Sequence, residues 1–325
     1  MKRRLNYLDL AKGLLISLVV FHHIPYVLRN VDPSIYIEDM IKMEVFYTSF
    51  FMCAFFMITG MTFCPNGTLW TFVKKNFRAL ILPGILLAII NRITLSYLLG
   101  KELRIDIIGL LVRGGEYWFL TSLFCSKILV YLLLKWVRLY GIMLITICMS
   151  VFVVIVRIGG IDSNLFYIQQ TFMLTPYLYI GYLLKDKIIG VKWTIVFSLL
   201  YFLFVLYVIS FHYESPCLSM VIKLDNTNLI PFYVLSICGS FLVIKIAMCF
   251  KRSTFLEAVG RKSLYIYLTH ITILYVMILF FRKNGIMQRE IMIGLTFIGT
   301  LFISYLLAAF LQLINNKCYV LRNRK

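Results

Sequence analysis

Long apolar segments alternate with short polar connections from one end of the chain to the other. A membrane-spanning helix needs about 20 mostly apolar residues, and this pattern recurs ten times. The predicted spans lie near 8–28, 45–64, 79–99, 117–136, 140–157, 171–184, 193–211, 230–250, 263–281 and 291–314. The sixth is short and contains Pro176. The pattern predicts an all-α fold, a polytopic membrane helical bundle with about ten transmembrane helices.

The composition supports this interpretation and narrows the domain organisation. Of the 325 residues, 61% are hydrophobic and 14% are charged, whereas a typical soluble domain has about 25% charged residues. No polar segment is long enough to fold as a separate soluble domain, so we predict a single integral-membrane domain over residues 1–325. The basic start of the chain, without a small-residue cleavage site, is typical of an uncleaved signal anchor.

The net charge of +19 first suggests a nucleic-acid partner, but its distribution predicts membrane topology instead. Ten spans place both termini on one side of the membrane, which then holds 19 Lys and Arg residues against three acids. The other side holds ten bases and eleven acids. Because basic loops stay in the cytoplasm, we expect both termini there and no nucleic-acid partner. The eight Cys residues show no CxxC spacing, so we expect neither a disulfide framework nor a metal site.

The first span, within "RLNYLDLAKGLLISLVVFHHI" (4–24), carries ionisable groups at both ends. On a helix, Lys12 and His23 are separated by about 20° beyond three full turns and by about 16 Å along the axis. Asp9 lies one turn before Lys12, within pairing reach, whereas His22 points about 100° away from His23. Two interpretations remain open: an interfacial ion pair with a packed imidazole, or a functional polar face.

Other spans also carry ionisable residues that hydrocarbon disfavours, namely Arg92, Lys127, Lys245 and His270. The rise along each helix predicts Arg92 and His23 in the outer half of the membrane and His270 in the inner half. If these groups face one cavity, cations at its base suit phosphates and imidazoles suit proton transfer. For Lys127 and Lys245 the alternative is snorkelling, or pairing with carbonyl groups.

Six segments carry a resemblance to a known family, and they cover nearly the whole chain in the family's order. They are "YLDLAKGLLISLVVFHH" (7–23), "FFMCAFFMITGMTF" (50–63), "FVKKNFRALILPGILLAI" (72–89), "EYWFLTSLF" (116–124), "PYLYIGYLLKD" (176–186) and "LEAVGRKSLYIYLTH" (256–270). The chain resembles the acyltransferase 3 family of bacterial integral-membrane acyltransferases. It is most similar to the branch of fucose 4-O-acetylase-like and surface-glycan O-acetyltransferases.

The resemblance implies an acetyl-CoA-dependent O-acetyltransferase in the bacterial inner membrane. The donor, cytoplasmic acyl-CoA, is a co-substrate, so no bound cofactor is implied, and the acceptor is a sugar hydroxyl of a surface polysaccharide or its lipid-linked precursor. The family's first-span motif is a basic residue, ten residues, then His. Lys12 stands where many members have Arg, and His22 where Gly is common. The family's SGNH-type soluble extension is missing from this sequence, so we expect transfer within the membrane domain.

The resemblance and the span chemistry together assign roles to nine residues. The predicted catalytic residues are His23, Asp9 and Lys12; the donor-binding residues are Arg78, Lys245 and His270; and the acceptor-binding residues are Arg92, Glu116 and Trp118. His23 is expected to act as a general base, and a covalent acyl-His relay is left open. The alternative function is a secondary transporter or glycan flippase, which also needs intramembrane charges. Against it, no pair of Gly/Pro-interrupted spans recurs in two halves.

Overall fold

The computed structural model describes residues 6–35, 37–100, 102, 117–158, 167–185, 191–211, 217–218, 222–223, 229–250, 254–285 and 288–322. The helices are α1 (Asn6–Val31), α2 (Glu38–Lys42), α3 (Phe51–Met61), α4 (Leu69–Asn76), α5 (Leu82–Leu99), α6 (Trp118–Trp136), α7 (Leu139–Ile158), α8 (Ile168–Leu183), α9 (Val191–Ser210), α10 (Leu229–Cys249), α11 (Thr254–Arg261), α12 (Ser263–Lys283) and α13 (Arg289–Arg322). A 3₁₀ helix at Met43–Phe46 precedes α3, and a π-helical turn at Phe77–Ile81 joins α4 to α5.

Nine helical segments within the described ranges are long and apolar enough to cross a membrane. They correspond to nine of the ten predicted spans, and the predicted all-α polytopic bundle is confirmed. The exception is the sixth span, where α8 has only 16 residues, or about 24 Å at 1.5 Å per residue, against a hydrocarbon core of about 30 Å. The strands that the structure describes, Cys217–Leu218 and Ile222–Lys223, form one short antiparallel pair.

Contacts divide the chain into two compact units. The first comprises Met1–Lys42, Ile90–Leu103 and Phe250–Lys325, and the second comprises Met43–Ile89 and Arg104–Cys249. The prediction of a single domain over 1–325 stays a prediction. The first unit holds α1, α2, α11, α12, α13 and the second half of α5, and it contains the imidazoles that the sequence singles out.

Two glycines allow α1 and α11 to cross in direct backbone contact in the first unit. A Cβ atom added to Gly13 would overlap the carbonyl oxygen of Leu256, and one added to Gly260 would overlap the carbonyl oxygen of Asp9. Small residues at such crossings let helix backbones approach closely. Because α11 therefore lies beside the first turns of α1, the helix that follows it, α12, begins part of the way along α1.

In the first unit, charged and polar contacts also join the helices at the end of α1 that lies away from the crossing with α11. Arg282 at the end of α12 donates to the carbonyl oxygen of Val31 at 2.7 Å and lies 3.4 Å from Asp32. Arg289 at the start of α13 makes two bonds to the Asp39 carboxylate, at 3.2 and 2.9 Å. These contacts fix the lengthwise register of α12 and α13 against α1 and α2.

The second unit is organised around α8, which is buried along most of its length. Cβ atoms added to Gly60 on α3 and Gly181 on α8 would overlap each other's helix backbone at Leu178 and Met57, respectively. On another side, Thr175 donates to Ser126 of α6 at 3.0 Å. Enclosure by neighbouring helices explains how a short, polar, Pro-containing segment remains helical here, because its hydroxyl groups find partners inside the protein.

Candidate active site

The imidazole of His23 lies near the middle of α1 and is half-buried. Its Nδ1 atom is 2.8 Å from the carbonyl oxygen of Val19, one turn earlier. A carbonyl oxygen only accepts hydrogen bonds, so Nδ1 carries the proton and donates it. The Nε2 atom of the neutral ring therefore keeps its lone pair and can accept a hydrogen bond.

His270 on α12 has the same arrangement, at a buried position. Its side chain is 2% exposed, and its Nδ1 atom lies 2.7 Å from the carbonyl oxygen of Tyr267. The same reasoning places the proton on Nδ1 and a lone pair on Nε2. Within the described part of the chain, this buried Nε2 atom has no hydrogen-bond partner. A buried polar atom in this state calls for an explanation, such as a catalytic role or a bound water or ion.

The rings of His23 and His270 are in contact. Their centroids are 4.9 Å apart and their planes meet at 72°. His23 also contacts the ring of His22, at 5.0 Å and 81°, and His22 in turn contacts Tyr26 at 5.3 Å. Three of the four His residues of the chain thus form one cluster, with His23 in the centre.

This contact corrects the prediction that His270 lies in the inner half of the membrane and His23 in the outer half. That prediction counted the rise of each helix from its own first residue. Because α12 begins part of the way along α1, seven residues of rise along α12 bring His270 level with His23. The neighbouring contacts agree: Asn30 donates to Tyr275 at 3.1 Å, and Asn91 of α5 donates to the carbonyl oxygen of Leu268 at 2.7 Å.

The other two predicted catalytic residues lie on α1, toward its start. Asp9 is 5% exposed, and its backbone packs against Gly260, whereas Lys12 is half-buried. The burial of Asp9 places this end of α1 against protein. An ionised carboxylate in such a place needs polar partners. The catalytic roles of Asp9 and Lys12 stay predictions.

The remaining predicted site residues do not all join the imidazole cluster. Arg92 is half-buried on α5 and belongs to the first unit. The second unit contains exposed Arg78 in the π-helical turn, half-buried Lys245 on α10 and buried Trp118 at the start of α6. Glu116 lies outside the described residues. The donor and acceptor roles of these residues stay predictions.

Buried amides are the polar residues that the sequence reasoning missed. Asn76 accepts a hydrogen bond from the Lys127 ammonium at 2.8 Å and donates to the carbonyl oxygen of Phe72 at 2.8 Å. Lys127 is therefore paired with a side chain, where the sequence left open snorkelling or pairing with carbonyls. The sequence offered no signal for Asn76, which ends α4 directly after two lysines. It offered one for Asn91, which lies among the apolar residues of α5. Such residues in membrane helices commonly bond across helix contacts.

The fold and the site define a class: a polytopic helical membrane protein with a cluster of buried and half-buried imidazoles. Comparison with protein families then identifies the family of the chain. Residues 5–311 match the family model described as an acyltransferase domain, that of the acyltransferase 3 family. The chain belongs to this family and is a multi-pass membrane acyltransferase. Searches of curated proteins and of solved structures each found no significant match.

Proposed function

We propose that the protein is an O-acyltransferase that moves an acetyl group from cytoplasmic acyl-CoA to a sugar hydroxyl of a surface polysaccharide or its lipid-linked precursor. Family membership supports acyl transfer. The observation that carries the proposal is the hydrogen bond from His23 Nδ1 to the Val19 carbonyl, because it leaves Nε2 as a base on a half-buried surface. Together with the six family-like segments, it favours a hydroxyl acceptor over transport.

The proposed reaction is a direct transfer. The acceptor oxygen attacks the thioester carbonyl while His23 Nε2 takes the hydroxyl proton. A bond forms between the acceptor oxygen and the acyl carbon, the carbon–sulfur bond breaks, and the proton passes from His23 to the CoA thiolate. Atoms and charge balance without a metal or redox partner. A positioned base of this kind typically contributes 10²–10⁴-fold to the rate.

The donor enters from the cytoplasm in this proposal. The excess of basic residues on the side of the termini supports this orientation, and Lys12 lies nearer that end of α1 than His23. An ammonium group suits the phosphates of CoA, and Asp9, three residues away, neutralises or orients Lys12 when the site is empty. On the acceptor side, we assign Arg92 to bind sugar oxygens through its guanidinium group.

The test uses membranes containing the full chain and acetyl-CoA labelled in the acetyl group. We expect label in surface glycan or glycolipid with wild-type protein and none with His23→Ala at equal protein level. NMR of the surface glycan from cells with and without the gene identifies the acceptor by its lost acetyl signals. If wild-type membranes transfer no label and the glycan is unchanged, the proposed function is wrong, and a transporter or flippase becomes the better interpretation.

A further inference from the structure

The two contacting imidazoles restrict which ligand can bind to both of them. His23 and His270 each donate through Nδ1 to a backbone carbonyl, at 2.8 and 2.7 Å. Each ring therefore offers only a lone pair at Nε2. Two adjacent acceptors cannot satisfy each other while both rings are neutral, since neither Nε2 atom carries a proton. A molecule that satisfies both has to bring two hydrogen-bond donors close together.

We propose that His270 binds the acceptor, by accepting a hydrogen bond from the group next to the reacting hydroxyl. The inference rests on the proposed function and names its substrate class. The acceptor carries a second hydrogen-bond donor on the carbon next to the one that bears the reactive hydroxyl. In a sugar, this donor is a neighbouring hydroxyl. His23 takes the proton of the first group, and His270 Nε2 holds the second. This replaces the donor-binding role that the sequence suggested for His270.

Burial and contact support this assignment. His270 is 2% exposed, and its Nε2 atom is without a partner in the described residues, so a ligand donor removes the cost of an unsatisfied buried acceptor. The ring centroids are 4.9 Å apart, so we infer a small ligand whose two donors lie on adjacent atoms. A site built to hydrogen-bond a hydroxyl discriminates strongly against analogues that lack it.

The first test locates the acyl group in the native product. NMR of the acylated glycan should show the new ester on a carbon whose neighbour carries a free O–H or N–H group. An ester whose neighbouring carbons carry no such donor would overturn the proposal. This result is separable from a failure of the proposed function, in which no acyl transfer is detected at all.

The second test uses a matched pair of small acceptors, trans-cyclohexane-1,2-diol and trans-2-methoxycyclohexanol. The methoxy compound keeps the neighbouring oxygen and replaces its proton with a methyl group, so it cannot donate a hydrogen bond there. With labelled acetyl-CoA and wild-type membranes, kcat/KM should be about tenfold or more higher for the diol, the effect of leaving one buried acceptor unpaired. His270→Leu should bring the two acceptors within about twofold of each other. Equal use by wild type, or an unchanged preference in His270→Leu, contradicts the proposal.

Two amide variants separate substrate binding from a structural role. The side chain of His270→Asn reaches the Nδ1 position and keeps a donor for Tyr267, whereas that of His270→Gln reaches the Nε2 position and offers an acceptor there. We expect Gln to retain the diol preference and Asn to lose it. If His270 has a purely structural role, His270→Asn should be more active than His270→Gln, and each variant should lose the same share of activity with both acceptors. Thr272→Val, at a buried hydroxyl on the same helix, is the control and should leave the preference intact.

Discussion

The ring of His270 packs edge to face against the ring of His23, with the centroids 4.9 Å apart. The two residues are 247 positions apart in the sequence, on α1 and α12. The crossing of α1 and α11 at Gly13 and Gly260 brings them to the same level, and the Asn91 side chain bonds the α12 backbone beside His270. The contact is therefore a product of helix packing, and it makes His23 the central member of the histidine cluster.

His23 and His22 are expected to differ sharply in function. His23→Ala should abolish acyl transfer from labelled acetyl-CoA, and His23→Gln should also fail, because an amide cannot take a proton at neutral pH. The neighbouring change His22→Gly should leave most activity. Quantification of protein in the membrane controls for folding. Activity in His23→Ala, or loss of activity only in His22→Ala, would show that the base is assigned to the wrong residue.

Lys12 is expected to act on the donor. Lys12→Ala should raise the KM for acyl-CoA, by about tenfold if one charge-assisted contact to a phosphate is lost, while the protein still accumulates in the membrane. Lys12→Arg should retain activity, because a guanidinium group keeps the charge and also binds phosphate. Donor saturation curves for the three proteins provide the measurement. A normal curve for Lys12→Ala would remove Lys12 from the donor site.

Gly260 should tolerate no side chain, because a Cβ atom there would overlap the Asp9 carbonyl oxygen. We expect Gly260→Ala to destabilise the protein by about 1–3 kcal/mol, the usual cost of overpacking, and to reduce activity by displacing α11. Gly294 on α13 is the matched control, since a Cβ atom there meets open space. Gly294→Ala should be neutral or slightly stabilising. Thermal unfolding in detergent compares the two, and equal midpoints would contradict the close crossing.

We expect α8 to cross the membrane completely, although it has only 16 residues. Reporter fusions after Ile168 and after Lys187 should report the outside and the cytoplasm, respectively, with both chain termini in the cytoplasm. A helix of this length crosses when neighbouring helices enclose it and the bilayer thins locally. If both fusions report the same side, α8 does not cross, and the charge distribution must be assigned again with nine spans.

The sequence by itself determined the class of structure. Segments such as 230–250 and 263–281 are apolar for long enough to require helices in a membrane, whatever they pack against, because only intrahelical bonds satisfy a lipid-exposed backbone. It also determined the shared face of Asp9, Lys12 and His23, since helical phase depends only on position along one helix. The prediction that His23, and not His22, is the base rests on the same local geometry.

Tertiary structure decided which residues of different helices lie side by side, because helical phase relates only residues of one helix. The level of His270 depends on where α12 begins relative to α1, and that depends on the close crossing at Gly13 and Gly260. Lys127 donates to an amide on another helix, Asn76, which no spacing within one span predicts. Contacts between distant segments arise from packing of whole helix surfaces, so the sequence supplied the imidazoles and the fold alone brought two of them together.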